Sequence, residues 1–121
     1  MGKLVITQRK NWEFQFNLKA TNGQVILTSE GYTTKSACMN GIESVRKNSQ
    51  NEARFDKKVA SNGKPFFNLK ATNGQIIGSS QMYVNEKNLR NGVASVMKNA
   101  VDSEIVDLTA EWFFSEVRRL K

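Results

Sequence analysis

The nonapeptide FNLKATNGQ stands at Phe16–Gln24 and again, unchanged, at Phe67–Gln75. Shifting the chain by 51 residues aligns Phe16–Ser49 with Phe67–Ala100 without a gap and with 18 identities in 34 positions. The identities extend well past the nonapeptide. They include Tyr32/Tyr83, Asn40/Asn91, Gly41/Gly92, Ser44/Ser95, Val45/Val96 and Lys47-Asn48/Lys98-Asn99. This is a tandem duplication. Two copies are too few for a solenoid, so the reading is one core built around an approximate two-fold axis.

Within each copy the period changes once. Trp12, Phe14, Phe16, Leu18 and Ala20 alternate with polar residues, which predicts a half-buried strand. Asn22-Gly23 tolerates positive φ and marks a hairpin turn into a return strand over 25–29. Leu4-Val5-Ile6 reads as a preceding strand. Thr34 is a candidate N-cap for a helix whose Ala37, Cys38, Gly41, Ile42 and Val45 form one apolar stripe. The second helix starts near Asn85 and carries Leu89, Val93 and Val96 on its stripe. Mid-helix Gly41 and Gly92 each cost about 1 kcal/mol against Ala, so close packing at those positions is expected. A further strand follows each helix, at 53–56 and 104–107. The 53–60 strand is expected to serve both copies and tie them into one sheet.

The fold class is therefore α+β: two tandem β-β-β-α-β repeats sharing one antiparallel sheet, plus a C-terminal helix. A single domain over 1–121 divides into repeat one (1–51), repeat two (52–108) and a helical extension (109–121).

Absences prune the chemistry. The chain has no His and one Cys, which removes the usual neutral-pH general base and leaves too few soft ligands for structural zinc. No GxxxxGK[ST], GxGxxG or GxSxG occurs. No catalytic, cofactor-binding or metal-ligating residue is nominated, and the expectation is a non-enzymatic protein without a cofactor. Cys38, on the apolar stripe with no basic activator beside it, reads as a core residue rather than a nucleophile. With no signal-peptide pattern and no apolar run of membrane-spanning length, the expected location is cytoplasmic, with no membrane partner.

FNLKATNGQIIGSSQMY at Phe67–Tyr83, GIESVRKN at Gly41–Asn48 and VILTSEGYT at Val25–Thr33 resemble the YegP-like family of small bacterial tandem-repeat proteins. The resemblance covers roughly Lys3 to Leu108. It implies a half-barrel-like sheet with terminal strands exchanged between the two units. It implies no biochemical activity, because the family has none established. The family pattern tends to stop near Asp107–Thr109, whereas this chain continues with AEWFFSEVRRLK.

Burial and turn chemistry account for Phe16, Leu18, Ala20, Asn22 and Gly23, but not for Asn17, Lys19, Asn68 and Lys70. Two readings of these four stand open. They pair across strands on a solvated face, or they form a repeated polar patch that grips a ligand or partner. The aromatics Trp12, Phe14, Phe16, Phe66 and Phe67 read mostly as strand core, and a base-stacking platform is the lesser reading, with Phe66, of outward parity, its best member. Net charge is +7, spread as +4 over 1–51, +4 over 52–102 and −1 from 103 onward. The leading function is a binding or interaction module with a repeated polar face. The alternative is a basic nucleic-acid or polyanion binder, contacting nucleic acid nonspecifically, and a small enzyme ranks below both. In the extension, Trp112, Phe113, Val117 and Leu120 are candidate interface residues. They need a docking surface, either on their own sheet or on a second copy in a homodimer.

Overall fold

The computed structural model describes residues 2–109. The chain runs β1 (Lys3–Gln8), β2 (Phe14–Lys19), β3 (Val25–Ser29), α1 (Lys35–Asn48), a 3₁₀ turn at Glu52–Arg54, β4 (Phe55–Val59), β5 (Pro65–Lys70), β6 (Ile76–Ser79), α2 (Glu86–Ala100) and β7 (Glu104–Asp107). The seven strands form one sheet in the order β4-β5-β6-β3-β2-β1-β7. Candidate segment 110–121, with Trp112, Phe113, Val117 and Leu120, lies outside the described residues.

The capping residues act as their sequence predicts. The Thr34 side chain accepts from the Ala37 amide and Asn85 from the Asn88 amide. Gly23 and Gly74 turn at φ 85°, closing the two hairpins that follow the repeated nonapeptide.

Three expectations are corrected. The sheet is mixed rather than wholly antiparallel. Leu4 pairs in parallel with Ile105 and Val5 with Val106, because helix α2 carries the chain back across the sheet before β7 enters. β4 pairs with β5 at the sheet edge and does not serve both copies. The copies are joined instead where β3 meets β6, by Thr28 opposite Ser79 and Ser29 opposite Gly78, and where β7 of copy two pairs with β1 of copy one. Finally, Trp12 is not strand core. It is 76% exposed and sits in the β1–β2 turn at φ 71°. Its equivalent in copy two is Gly63, at φ 84°.

Both helices cover one face of the sheet, and each lies across strands of both copies. α1 packs on β2, β5 and β6; α2 packs on β1, β2, β3 and β5. Between the layers lie Phe16, Leu18, Leu27, Ile42 and Val45 with Phe67, Leu69, Leu89, Val93 and Val96. Opposite Leu18/Lys19 and the equivalent Leu69/Lys70 the register shifts, leaving Ile26 of β3 and Ile77 of β6 as extra, bulged residues. Strict alternation would place Ile26 on the outer face; beside the shift it is buried.

The mid-helix glycines have a packing cause. Tyr32 stacks on Phe16 at 6.2 Å and 9°, and Tyr83 on Phe67 at 6.2 Å and 10°. Each tyrosine hydroxyl then lies where a Cβ on Gly41 or Gly92 would stand. A side chain on either glycine would displace a ring wedged between sheet and helix. The stack is thus the same in both copies: phenylalanine, tyrosine, glycine.

Copy two supplies a control for copy one at the β1–β2 turn. A non-glycine residue with positive φ carries strain that glycine does not. Trp12→Gly is expected to raise stability by about 0.5–1 kcal/mol in urea unfolding, net of glycine's greater chain entropy. A loss of that size would show that the indole packs favourably despite its exposure.

Candidate functional site

The four outward residues singled out by the repeat do not behave alike. Asp56, Asn68, Ser79, Thr28, Asn17, Val5 and Val106 are successive cross-strand partners, forming one row across all seven strands. This row lies on the face away from the helices, since it alternates with buried Phe16, Leu18, Phe67 and Leu69. Asn68 is only 8% exposed and accepts a 2.7 Å hydrogen bond from Ser79 Oγ. Lys70 Nζ is 2.9 Å from Asp56. The hydrogen bond from Lys70, with a second from Lys58, holds the Asp56 carboxyl below its ordinary range. Asn17 is half-buried, and Lys19 makes no ion pair among the described residues. The copy-two half of this face is thus satisfied internally and the copy-one half is open. Lys19 borders a groove of about 400 Å³ with Lys3, Val5, Thr21, Val106 and Leu108.

The second half of the nonapeptide does more than turn the chain. In each copy the Asn side chain accepts from the Gln amide two residues on, at 3.0 Å (Asn22 with Gln24, Asn73 with Gln75). Each turn then abuts the helix of the other copy. Ala20-Thr21-Asn22 faces Asn91, Ser95, Lys98 and Asn99 of α2 across a cleft of about 360 Å³. Ala71-Thr72-Asn73 faces Asn40, Ser44, Lys47 and Asn48 of α1 across one of about 430 Å³. The two clefts are equivalents at an offset of 51.

The buried asparagines anchor both clefts. Asn48 Nδ2 donates to the Ser44 carbonyl and hydroxyl at 2.9 and 3.1 Å, and Asn99 Nδ2 to those of Ser95 at 2.8 and 3.2 Å. Thr21 Oγ1 reaches Asn99 Oδ1 at 3.4 Å, joining turn to helix. Asn40, Asn91, Lys47 and Lys98 are exposed on the walls. The clefts differ in charge. Glu43, paired with Arg46 at 3.0 Å, lines the α1 cleft where the α2 cleft has Ala94.

The α2 cleft continues toward its helix N-terminus. There Ile26, Gln81, Tyr83, Val84, Asn88 and Gly92 enclose a further 380 Å³ or so, contiguous through Asn22, Asn91 and Ser95. Met82 is 53% exposed and Val84 77%, at positions where copy one has Gly31 and Thr33. The Tyr83 hydroxyl is buried and finds no hydrogen-bond partner among the described residues. Burial pushes it above its ordinary range; Gln81 lies close enough to oppose the shift without closing a hydrogen bond. The composite cleft therefore offers carboxamides, hydroxyls and exposed apolar groups, with Lys98 its charged member.

The geometry does not favour chemistry at the thiol. Burial, then the nearby Asp107 carboxylate, pushes Cys38 up to about 11, with Lys35 opposing, so thiolate is scarce at neutral pH. Among the described residues no three His, Cys, Asp or Glu side chains converge as metal ligands. No described helix is long and apolar enough to cross a membrane.

Asp107 instead closes the structure. It is 2.9 Å from Lys35 Nζ at the start of α1 and accepts from the Thr109 amide and hydroxyl at 2.8 and 2.7 Å. Burial raises its carboxyl, but Thr109 and Lys35 outweigh burial and hold it below its ordinary value. Such a depressed carboxyl contributes stability above its unfolded value near pH 4 and loses it as pH falls through the lower folded value.

Two expectations follow for unfolding experiments. Asn68→Ala strands the Ser79 hydroxyl and should cost about 1–3 kcal/mol, whereas Asn17→Ala should stay within about 0.5 kcal/mol. Equal effects from the two would show that the asymmetry between the copies is wrong. Asp107→Asn should be less stable than the parent at pH 7, with the gap narrowing below about pH 4. A gap that does not change with pH would mean the ion pair is not the source.

Comparison with known proteins places these observations. The family model described as "Domain of unknown function (DUF1508)" matches residues 10–56 and 60–107. The "UPF0339 protein" of Shewanella oneidensis is 58% identical over 108 residues, covering 89% of this chain and 98% of its own. "UPF0339 protein YegP" of Escherichia coli K12 is 50% identical, covering 89% and 98%. The solution NMR structure of UPF0339 protein SO3888 from Shewanella oneidensis superposes with a TM-score of 0.85 at 56% identity, covering 91% of this chain and 93% of that one. That of yegP from Escherichia coli, described as a protein of unknown function, gives 0.85 at 50% identity, covering 88% and 92%.

Proposed function

The chain belongs to the DUF1508 family of bacterial proteins without an assigned function, and on that premise we propose that it is a non-enzymatic binding module whose ligand seats in the α2 cleft. One observation carries this reading. Asn91, Ser95 and Lys98 sit on the wall of a cleft and recur unchanged in copy one, although Asn91 and Lys98 are exposed and make no hydrogen bond or ion pair among the described residues. Exposed polar side chains with no packing role are free to drift, since substitutions there usually change stability by less than about 0.5 kcal/mol. Their retention in both copies suits recognition.

In this reading the two β-β-β-α-β repeats, with terminal strands exchanged, act as one unit. The turn of one copy and the helix of the other make each cleft, so neither copy alone carries a whole site. The α2 cleft is the better candidate of the two. It lacks the Glu43 carboxylate of its equivalent and gains the apolar Met82 and Val84 at its mouth. The ligand class that fits is small and polar, with one apolar face and no more than one negative charge, matched by Lys98.

A fragment library screened by ¹⁵N-resolved NMR tests this. Hits should move the amides of Asn22, Asn91 and Ser95 together, and Asn91→Ala with Ser95→Ala should weaken them at least about tenfold, a change of 1.4 kcal/mol. Hits gathered on the outer sheet face would overturn the assignment. Oligonucleotide binding that collapses between about 50 and 200 mM salt would move it to the basic surface.

A further inference from the structure

One surface position is built in opposite ways in the two copies. In copy one, Arg9 and Glu13 form an ion pair of 3.3 Å, and both side chains occupy the space where a Cβ on Gly31 would stand. Gln15 closes the same spot, donating its Nε2 to the Ser29 carbonyl at 3.1 Å. The equivalents of Arg9, Glu13, Gln15 and Gly31 are Ala60, Lys64, Phe66 and Met82. The ion pair is gone and the polar lid has become aromatic. What remains is a pocket of about 370 Å³ walled by Ala60, Phe66 and Met82, with Ser79 and Ser80 behind them. Phe66 alternates with buried Phe67, so the pocket opens on the outer face of the sheet, beside edge strand β4.

We propose that this pocket receives the aromatic segment Trp112–Phe114 of a second copy of the chain. Large consecutive aromatics need cover from water, and this pocket is an opening of matching chemistry in the described fold.

Reach decides between the chain's own segment and a partner's. The described chain ends on β7, and the pocket lies at β5, five strands away. At roughly 4.8 Å per strand that is about 24 Å. Leu108 also lies two residues to one side of the Asn17–Asn68 row and Phe66 two residues to the other, adding about 13 Å along the strands. Phe114 follows Thr109 by five residues and, fully extended, reaches about 18 Å. The segment falls short of its own pocket. In a two-fold pair with outer faces together and the axis along the strands, β7 of one subunit lies over the β5–β4 side of the other, at the ~10 Å spacing of packed sheets. There the segment reaches easily, and the exchange is reciprocal.

Light scattering tests the proposal on three proteins: the full chain, the chain truncated after Thr109, and a variant carrying Ala60→Arg, Lys64→Glu and Met82→Gly. The triple substitution copies the ion pair and the glycine of copy one's closed site into copy two, using residues that this fold already accepts at the equivalent place. The full chain should run at twice the protomer mass, and both others at the protomer mass. A monomeric full chain overturns the proposal, as does a truncated protein that stays dimeric. A triple variant that stays dimeric while the truncation is monomeric overturns the pocket as the receptor. Should the triple variant lose its circular dichroism signature of folding, Phe66→Lys, at a half-buried outer position, is read in its place with the same outcomes.

Discussion

Two residue pairs where β3 meets β6 hold the halves of the sheet together, and they set a condition that the rest of the molecule obeys. Thr28 and Ser79 face each other there and are also each other's equivalents at the offset of 51. An approximate two-fold axis therefore passes between them, and on the helix-covered face beneath it a side chain can meet its own equivalent across the axis. Leu27 and Gly78 are such a pair. The Leu27 side chain fills the space that a Cβ on Gly78 would take, with its Cγ and Cδ2 2.8 Å from that position. Two leucines would collide, and two glycines would leave a cavity in a core that tolerates few. Identity between the copies is thus lost at the axis for a packing reason. So short a ladder is a weak joint, and the helices compensate by lying across strands of both halves. Their crossing is what brings each hairpin turn against the other copy's helix.

Most of the fold was legible because periodicity and capping are local. Period-two runs located β2 and β5, Thr34 and Asn85 located the helix starts, and the offset of 51 located the second copy from the first. What was not legible depended on pairing. Nothing within 53–60 says that β4 pairs only with β5, since an edge strand and a shared strand carry the same alternation. The parallel entry of β7 is likewise decided by where α2 delivers the chain. Trp12 was misplaced for a different reason. Its parity fits the strand, but a hydrogen bond from its amide to the Arg9 carbonyl, 2.9 Å, pulls it into the turn. Aligning it with Gly63 was the available signal, since glycine at that position marks a turn and not a strand.

The candidate site was half legible. Asn40/Asn91, Ser44/Ser95 and Lys47/Lys98 stood out as identities with no core role, yet the argument from the repeated nonapeptide favoured Asn17, Lys19, Asn68 and Lys70. Those four lie on strands, where a residue's partners are its neighbours in the ladder, and two of them are consumed by Ser79 and Asp56. The helix residues lie opposite a turn from the other copy. A juxtaposition of that kind has no trace in the spacing of either copy alone. It needs the axis, and the axis needs the β3–β6 register.

Duplication also explains why the informative differences fall where they do. The Phe–Tyr–Gly stacks are the same in both copies to within a degree of ring angle, because sheet, ring and helix backbone leave no slack for another side chain. The clefts repeat their anchoring Asn–Ser pairs, since those hold the end of each helix. Freedom to diverge begins one shell further out. There copy one carries Glu43, Gly31 and an ion pair closing its outer face, and copy two carries Ala94, Met82 and an open pocket. Each of these three changes replaces charge or closure in copy one with apolar surface in copy two. The exposed Trp12 of copy one, opposite Gly63 in copy two, is the counter-example, and there the exposed apolar group lies in a turn away from both openings. The ligand cleft and the docking pocket proposed above both draw on these positions of the second repeat.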